Sequence, residues 1–206
     1  MKTTLLQRDI CWANPEVNRQ RLEQRLAELP PADLYIFPEM FSTGFCTDPE
    51  GVAEENVGEG TLGWMQRIAQ ARGCALAGSV SIKEGGKFYN RFYFVYPDGK
   101  YCSYDKRHLF TYGGEHKTFT AGKERVIVTY QVWSRNRKDY DMAIYVASWP
   151  TPRVEVWSAL LRARAIENQC FVAGVNRVGE NPACQYSGGT ALIDPYGHTL
   201  GACKDG

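Results

Sequence analysis

Hydrophobic and polar positions along this chain switch between two periods, and the switches mark out its elements. "TLL" at 4–6 opens a short strand. In the following "NPEVNRQRLEQRLAELPP", Val17, Leu22, Leu26 and Leu29 form an apolar helical stripe. Asn14 is placed to cap that helix, Pro15 suits its first turn and Pro30 stops it. "LYIF" at 34–37 is a short apolar run of buried-strand type, ended by Pro38 and Glu39. A second helix is predicted over 62–72, with Gly73 as its stop. "CALAGSV", "FYNRFYFVY" and "YCSYDK" read as successive strands, the last two joined by the turn "PDGK". Next come a strand in "DMAIYVAS", an amphipathic helix in "RVEVWSALLRARAIENQ" and a strand in "CFVAGVNR". A hairpin in "GTALIDPYGHTLGACKDG", turned at Asp-Pro-Tyr-Gly, finishes the chain. Strands alternating with helices predict an α/β fold with sheets buried against helices. The 206 residues suit one domain, 1–206.

One junction breaks this order. In "VIVTYQVWSRN" a β-like run over 126–130 passes straight into a polar segment, with no Gly, Pro or Asp to turn the chain.

Composition narrows the function classes. Hydrophobic residues make up 44% and charged residues 23%, ordinary for a globular protein. Lys plus Arg (24) nearly balances Asp plus Glu (23), leaving a net charge of +1 and no electrostatic reason to expect nucleic acid or an anionic membrane. No apolar run approaches the ~18 residues of a membrane span. The N-terminus "MKTTLLQRDI" has no signal-peptide core. The seven cysteines are scattered, odd in number and never in a C-x-x-C pair, so neither a disulfide framework nor a zinc site is indicated. Reduced thiols in the cytoplasm is the simplest expectation.

Several residues are candidates for chemistry, each with a plainer reading beside it. Glu39 directly follows "LYIFP", at a strand end where α/β folds place their sites and a carboxylate is partly desolvated. It is either a general base or a carboxylate that caps the next segment. Lys106 ends "YCSYDK" and either holds a charge where an oxyanion develops or is a solvated lysine. Glu115 follows two glycines in "YGGEHKTF", which allow a close approach to a buried partner or leave it in solvent. His108 and His116 lack matching ligand spacing and read as hydrogen-bonded structural side chains. The aromatics of "FYNRFYFVY" read as half-buried core. There is no Gly-rich phosphate loop, no G-x-S-x-G and no H-E-x-x-H.

Together "FPEMFSTGF", "YDKRHLF", "GEHKTFTAG", "YVASWP" and "RAIENQ" closely resemble the carbon–nitrogen hydrolase (nitrilase) superfamily, and within it the bacterial omega-amidase branch. Each motif alone is weak; five in order, from about Thr3 to Cys203, are specific. The resemblance implies a nitrilase-like α-β-β-α sandwich, with mixed sheets and helices on the outer faces, that packs as a homodimer into four layers. It implies a Cys nucleophile with Glu39 as base, Lys106 at the oxyanion and Glu115 supporting the lysine. No metal or organic cofactor is implied, and the partner is a small-molecule amide. Phe45 and Trp149 are the substrate-pocket candidates, or else ordinary core or rim aromatics. A substrate carboxylate would need a cation, and Arg153 is nearby in sequence.

The resemblance also implies a C-Y-D-x-R-F-P elbow, carrying the nucleophile, directly before "VWSRN". That elbow is not in this sequence, and none of the seven cysteines stands in its place. The gap amounts to roughly 15 residues: a return strand, a turn and the elbow. The chain also stops at "CKDG", before the family's C-terminal tail. The complete protein is expected to carry these pieces, because deleting a buried strand costs far more than the ~5–15 kcal/mol of net stability available. The expected activity is hydrolysis of the terminal amide of a 2-oxo dicarboxylic monoamide such as 2-oxoglutaramate. The alternatives are another amidase of the superfamily, or a catalytically dead binding or assembly module if the gap is real.

Overall fold

Strand β1 (Thr3–Leu5) leads into helix α1 (Pro15–Glu28), whose start is fixed by the Asn14 side chain accepting the Val17 N–H. The computed structural model describes residues 1–55, 58–130 and 140–204. These fall into two units. The first comprises Met1–Thr4, Ile10–Tyr35 and Met40–Val126; the second comprises Leu5–Asp9, Ile36–Glu39 and Ile127–Gly206.

Strand β2 (Leu34–Ile36) and the two-residue β3 (Glu54–Glu55) precede helix α2 (Thr61–Arg72). That helix ends at Gly73, which takes the left-handed conformation of a helix stop. Strands β4 (Ala75–Glu84), β5 (Lys87–Val95) and β6 (Tyr101–Asp105) follow. The sheet order is β1-β2-β4-β5-β6, with β3 parallel to β4 and the β4-β5-β6 meander antiparallel, so the sheet is mixed. Helix α2 packs on β4 and β5 and against α1. Leu22 and Leu26 of α1 and Met65, Ile68 and Ala69 of α2 are buried there, each large side chain contributing about 1.5–3 kcal/mol. Asn18 shares the inner face of α1, which the apolar stripe did not reveal. Its amide accepts from the Cys11 N–H and donates to the Cys11 and Ser42 carbonyls.

In the second unit, β7 (Met142–Val146) is followed by a 3-10 turn (Thr151–Arg153), helix α3 (Val154–Asn168) and β8 (Phe171–Val175). Two short strands, β9 (Val178–Glu180) and β10 (Gln185–Ser187), pair with each other. The hairpin of β11 (Ala191–Ile193) and β12 (Thr199–Ala202) completes a second mixed sheet of order β12-β11-β8-β7, with β7 and β8 parallel. Trp157, Leu161 and Ala165 of α3 pack with Ala147, Val172 and Ile193 into one core cluster.

Two elements differ from expectation. Among the described residues the run over 126–130 forms no strand, and Val126 and Ile127 are exposed. A β pattern forms a strand only where a neighbour completes its hydrogen-bond ladder. Helix α3 is not cleanly amphipathic. Val156, Leu160 and Ile166 are exposed although apolar, beside an inner face already filled.

Tyr93 on β5 and Tyr186 on β10 are buried, and burial pushes both hydroxyls up to about 12. Because an unfolded tyrosine ionises near ~10, the fold favours the protonated form. Their stability contribution is therefore complete below pH ~10 and is lost between about 10 and 12, by roughly 1.4 kcal/mol per pH unit for each residue. In an alkaline titration, tyrosinate absorbance from these two should rise together with loss of circular dichroism, and Tyr93→Phe should flatten the stability slope. Ionisation of both before unfolding would contradict this.

Candidate active site

Lys106 and Glu115 are brought together in the first unit. Strand pairing carries past the end of β6: the Lys106 N–H donates to the Asn90 carbonyl at 2.9 Å. Upstream, Arg91 of β5 donates twice to Asp105, at 2.7 and 3.0 Å, which fixes the residue before the lysine. From the other side, Gly114 takes a φ of 78° and starts a one-turn 3-10 helix (Glu115–Lys117), whose first side chain points inward. Gly122 then passes so close that a Cβ there would lie 2.2 Å from the Asp105 carbonyl oxygen, and its N–H donates to the Lys106 carbonyl.

The Glu115 side chain is fully buried, and four hydrogen bonds account for its two oxygens. Lys106 Nζ donates at 2.9 and 3.3 Å, the Asn90 amide at 3.0 Å and the Phe110 N–H at 2.6 Å. Lys106 keeps 27% of its side chain exposed, while its ammonium pairs with the fully buried carboxylate. The Phe45 ring lies beneath it, with the centroid 5.3 Å from Nζ, and packs edge-on against Phe110. Such an arrangement can hold a positive charge ready for a developing oxyanion.

Glu39 belongs to the second unit. It is 7% exposed, and its Oε2 accepts the Ser148 N–H at 2.9 Å, while Ser148 Oγ donates to the Glu39 carbonyl. Ser148 and Trp149 follow β7 and are held in turn by Asn176. That amide accepts the Trp149 N–H at 2.8 Å and donates to the Trp149 carbonyl at 2.9 Å and the Gly188 carbonyl at 2.6 Å. Just past Glu39 the chain turns at Met40, a non-glycine residue at φ 46°, buried, with its N–H on Ser79 Oγ at 3.0 Å. A left-handed, β-unfriendly conformation at a buried methionine persists only where the surroundings enforce it, and such strain clusters at functional sites. Trp149 is half-buried against the α3 core cluster, and its ring lies 5.6 Å from that of Trp157.

The remaining candidates are placed less favourably for chemistry. His108 and His116 are exposed rather than internally hydrogen-bonded. Among the described residues no group of three or more His, Cys, Asp or Glu could hold a metal ion, and no helix is long and apolar enough to cross a membrane. None of the seven cysteines is in a disulfide. Burial pushes the Cys46, Cys74 and Cys203 thiols up, away from the thiolate that a nucleophile needs. The expected elbow would meet the chain at residue 131, and residues 131–139 lie outside the described residues.

The sequence pattern of the carbon–nitrogen hydrolase family is matched over residues 2–134 and again over 128–206. This chain belongs to that family. Among its carbon–nitrogen hydrolase relatives, an omega-amidase of Escherichia coli is 40% identical over 216 residues, 97% of this chain and 84% of the relative. A 2-oxoglutaramate amidase of Bacillus subtilis is 33% identical, covering 97% and 86%. The crystal structure of a CN-hydrolase superfamily protein from Xanthomonas campestris, with an arsenic adduct in its active site, superposes with a TM-score of 0.94 at 35% identity, covering 100% of this chain and 87% of that one. The α/β nitrilase-like fold expected from the motifs, with mixed sheets and helices on their faces, is the fold observed, and the chain is a hydrolase of carbon–nitrogen bonds other than peptide bonds.

Sequence reasoning missed Asn90, Ser148 and Asn176. A signal existed for two of them. Asn is disfavoured in strands, so an Asn inside "FYNRFYF" or closing "VAGVN" marks a side chain kept for its hydrogen bonds. Ser148 carried no such signal, because its backbone does the work.

Proposed function

We propose that this carbon–nitrogen hydrolase is an omega-amidase, releasing ammonia from the terminal amide of a small 2-oxo dicarboxylic monoamide. The observation that carries this is the sealed Lys106–Glu115 pair at the family's motif positions. The names of the E. coli and B. subtilis relatives support the substrate class. In this reading a cysteine thiol gives its proton to Glu39 and attacks the amide carbon. Lys106 stabilises the tetrahedral oxyanion and Glu115 keeps the ammonium in place. Glu39 passes the proton to the departing ammonia, leaving a thioester. Glu39 then takes a proton from water, whose oxygen cleaves the thioester and frees acid and thiol. Phe45 and Trp149 line the substrate's path.

The nucleophile belongs to a segment of about 15 residues that the complete protein carries between Tyr130 and Gln131. Two facts support this: the family pattern matches in two stretches that overlap at 128–134, and the E. coli alignment spans 216 positions against 206 residues here. The whole then forms one domain. The run over 126–130 has the composition of a strand, which that segment would adjoin. The exposed Val156, Leu160 and Ile166 of α3, with Phe171 and Tyr145 on β8 and β7, are apolar surface that a homodimer would cover. The enzyme works in the cytoplasm, on a small-molecule amide alone.

Ammonia release from 2-oxoglutaramate by the complete gene product tests the reading, and its intact mass should exceed 23.2 kDa. Turnover of a nitrile or an N-carbamoyl compound without turnover of 2-oxoglutaramate would overturn the substrate class. A second reading, a catalytically dead binding module, is favoured by the buried, proton-holding thiols of the chain as it stands. An acyl adduct seen by mass spectrometry after mixing with substrate excludes it.

A further inference from the structure

We infer that Asn90 is a positioning residue: through Glu115 it sets where the Lys106 ammonium stands, and so governs turnover rather than substrate binding. This rests on the amidase reading of Lys106. Asn90 lies inside β5, buried, with Ser81 of β4 as its cross-strand partner. Its two polar ends face different partners. The main-chain carbonyl accepts the Lys106 N–H at 2.9 Å, one residue beyond the pair of Arg91 with Asp105 that ends the β5–β6 ladder. The side-chain amide donates to Glu115 Oε1 at 3.0 Å. Lys106 Nζ donates to the same carboxylate, so Asn90, Glu115 and Lys106 close a ring of hydrogen bonds within the first unit.

The distances show what the ring decides. Neutral donors hold the carboxylate at both oxygens, the Asn90 amide at Oε1 and the Phe110 N–H at Oε2, 2.6 Å away. The ammonium thus meets a carboxylate whose orientation is already fixed, and it stands nearer Oε2 (2.9 Å) than Oε1 (3.3 Å). Phe110 contributes main chain here, so Asn90 is the neutral side chain on which that orientation depends. Without its amide, Oε1 would draw the ammonium in and pair it more evenly with both oxygens. The charge would then be displaced from where an oxyanion develops. Strand propensity does not account for an asparagine at this place, because Asn is depleted in strands. Ser81 opposite is equally buried, but its hydroxyl has no hydrogen-bond partner among the described residues and takes no part in the ring.

The test is a double-mutant cycle in the full protein, reading kcat and KM for ammonia release from 2-oxoglutaramate. Asn90→Ala should lower kcat about ten- to a hundredfold and change KM less than about threefold, since a misplacement of about 1 Å costs up to ~10². In a Glu115→Gln background the same change should cost less than about threefold, because the carboxylate it acts through is already gone. Ser81→Ala, which removes no bond to the pair, should leave kcat within about twofold. Asn90→Asp keeps the shape if the alanine variant fails to fold. Its loss relative to the parent should shrink as pH falls, when the introduced carboxyl gains a proton to donate. Losses that multiply across the cycle, or a Ser81→Ala loss as large as that of Asn90→Ala, would mark a merely structural asparagine. Either overturns the inference and leaves the amidase reading standing. A parent that hydrolyses only a different amide overturns the substrate class, and the cycle on that amide decides Asn90. A parent that hydrolyses none overturns both.

Discussion

Glu39→Gln in the complete protein is expected to lower kcat/KM by about 10²–10⁴, the range for loss of a general base, while leaving the fold intact. The two halves of that expectation have separate causes. The Glu39 Oε2 accepts the Ser148 N–H, and a glutamine carbonyl can accept the same bond. The strand end therefore keeps that contact, and the fold should survive with a loss of about 1 kcal/mol, the usual size for a single substitution. What glutamine cannot do is take a proton from a thiol or from water. Steady-state ammonia release together with a thermal melt checks both halves. Retention of more than about a tenth of the activity would remove Glu39 from the role of base.

Lys106→Met should strike stability as well as turnover. Glu115 is wholly enclosed, and two of its four hydrogen bonds come from Lys106. Methionine fills much of the same space but leaves a buried carboxylate without its countercharge, a loss of about 3–5 kcal/mol for a buried pair. Because the lysine is 27% exposed, the low end applies, about 3 kcal/mol, or a fall in Tm of about 6–12 °C for a chain of this size. Turnover should fall by about 10²–10³ with loss of the oxyanion's charge partner. The reverse change, Glu115→Gln, should destabilise less. It leaves an ammonium that can turn to solvent, whereas the carboxylate cannot. Equal losses of Tm in the two variants would show that the lysine, too, is locked in the interior.

The exposed apolar side chains of α3 and those of Val126 and Ile127 look alike at first. Their causes differ. The helix has a filled inner face and extra apolar positions outside it. The run over 126–130 has strand composition but forms no strand among the described residues.

By itself the sequence determined what depends on short stretches of chain. The cap at Asn14, the stop at Gly73, the "PDGK" turn and the final hairpin all form where local chemistry places them, because each is settled within a few residues. The ordered motifs also marked Glu39, Lys106 and Glu115, and the junction at Tyr130 where the order fails. Only the tertiary structure decided what those residues touch. Glu39 meets a backbone N–H 109 residues away, and Glu115 is enclosed by an asparagine 25 residues upstream. Backbone donors and buried amides leave almost no trace in a hydrophobic pattern, since they are chosen for direction rather than polarity. The same holds for 126–130, whose composition favours a strand but whose hydrogen bonds require a neighbour that a β pattern cannot supply for itself.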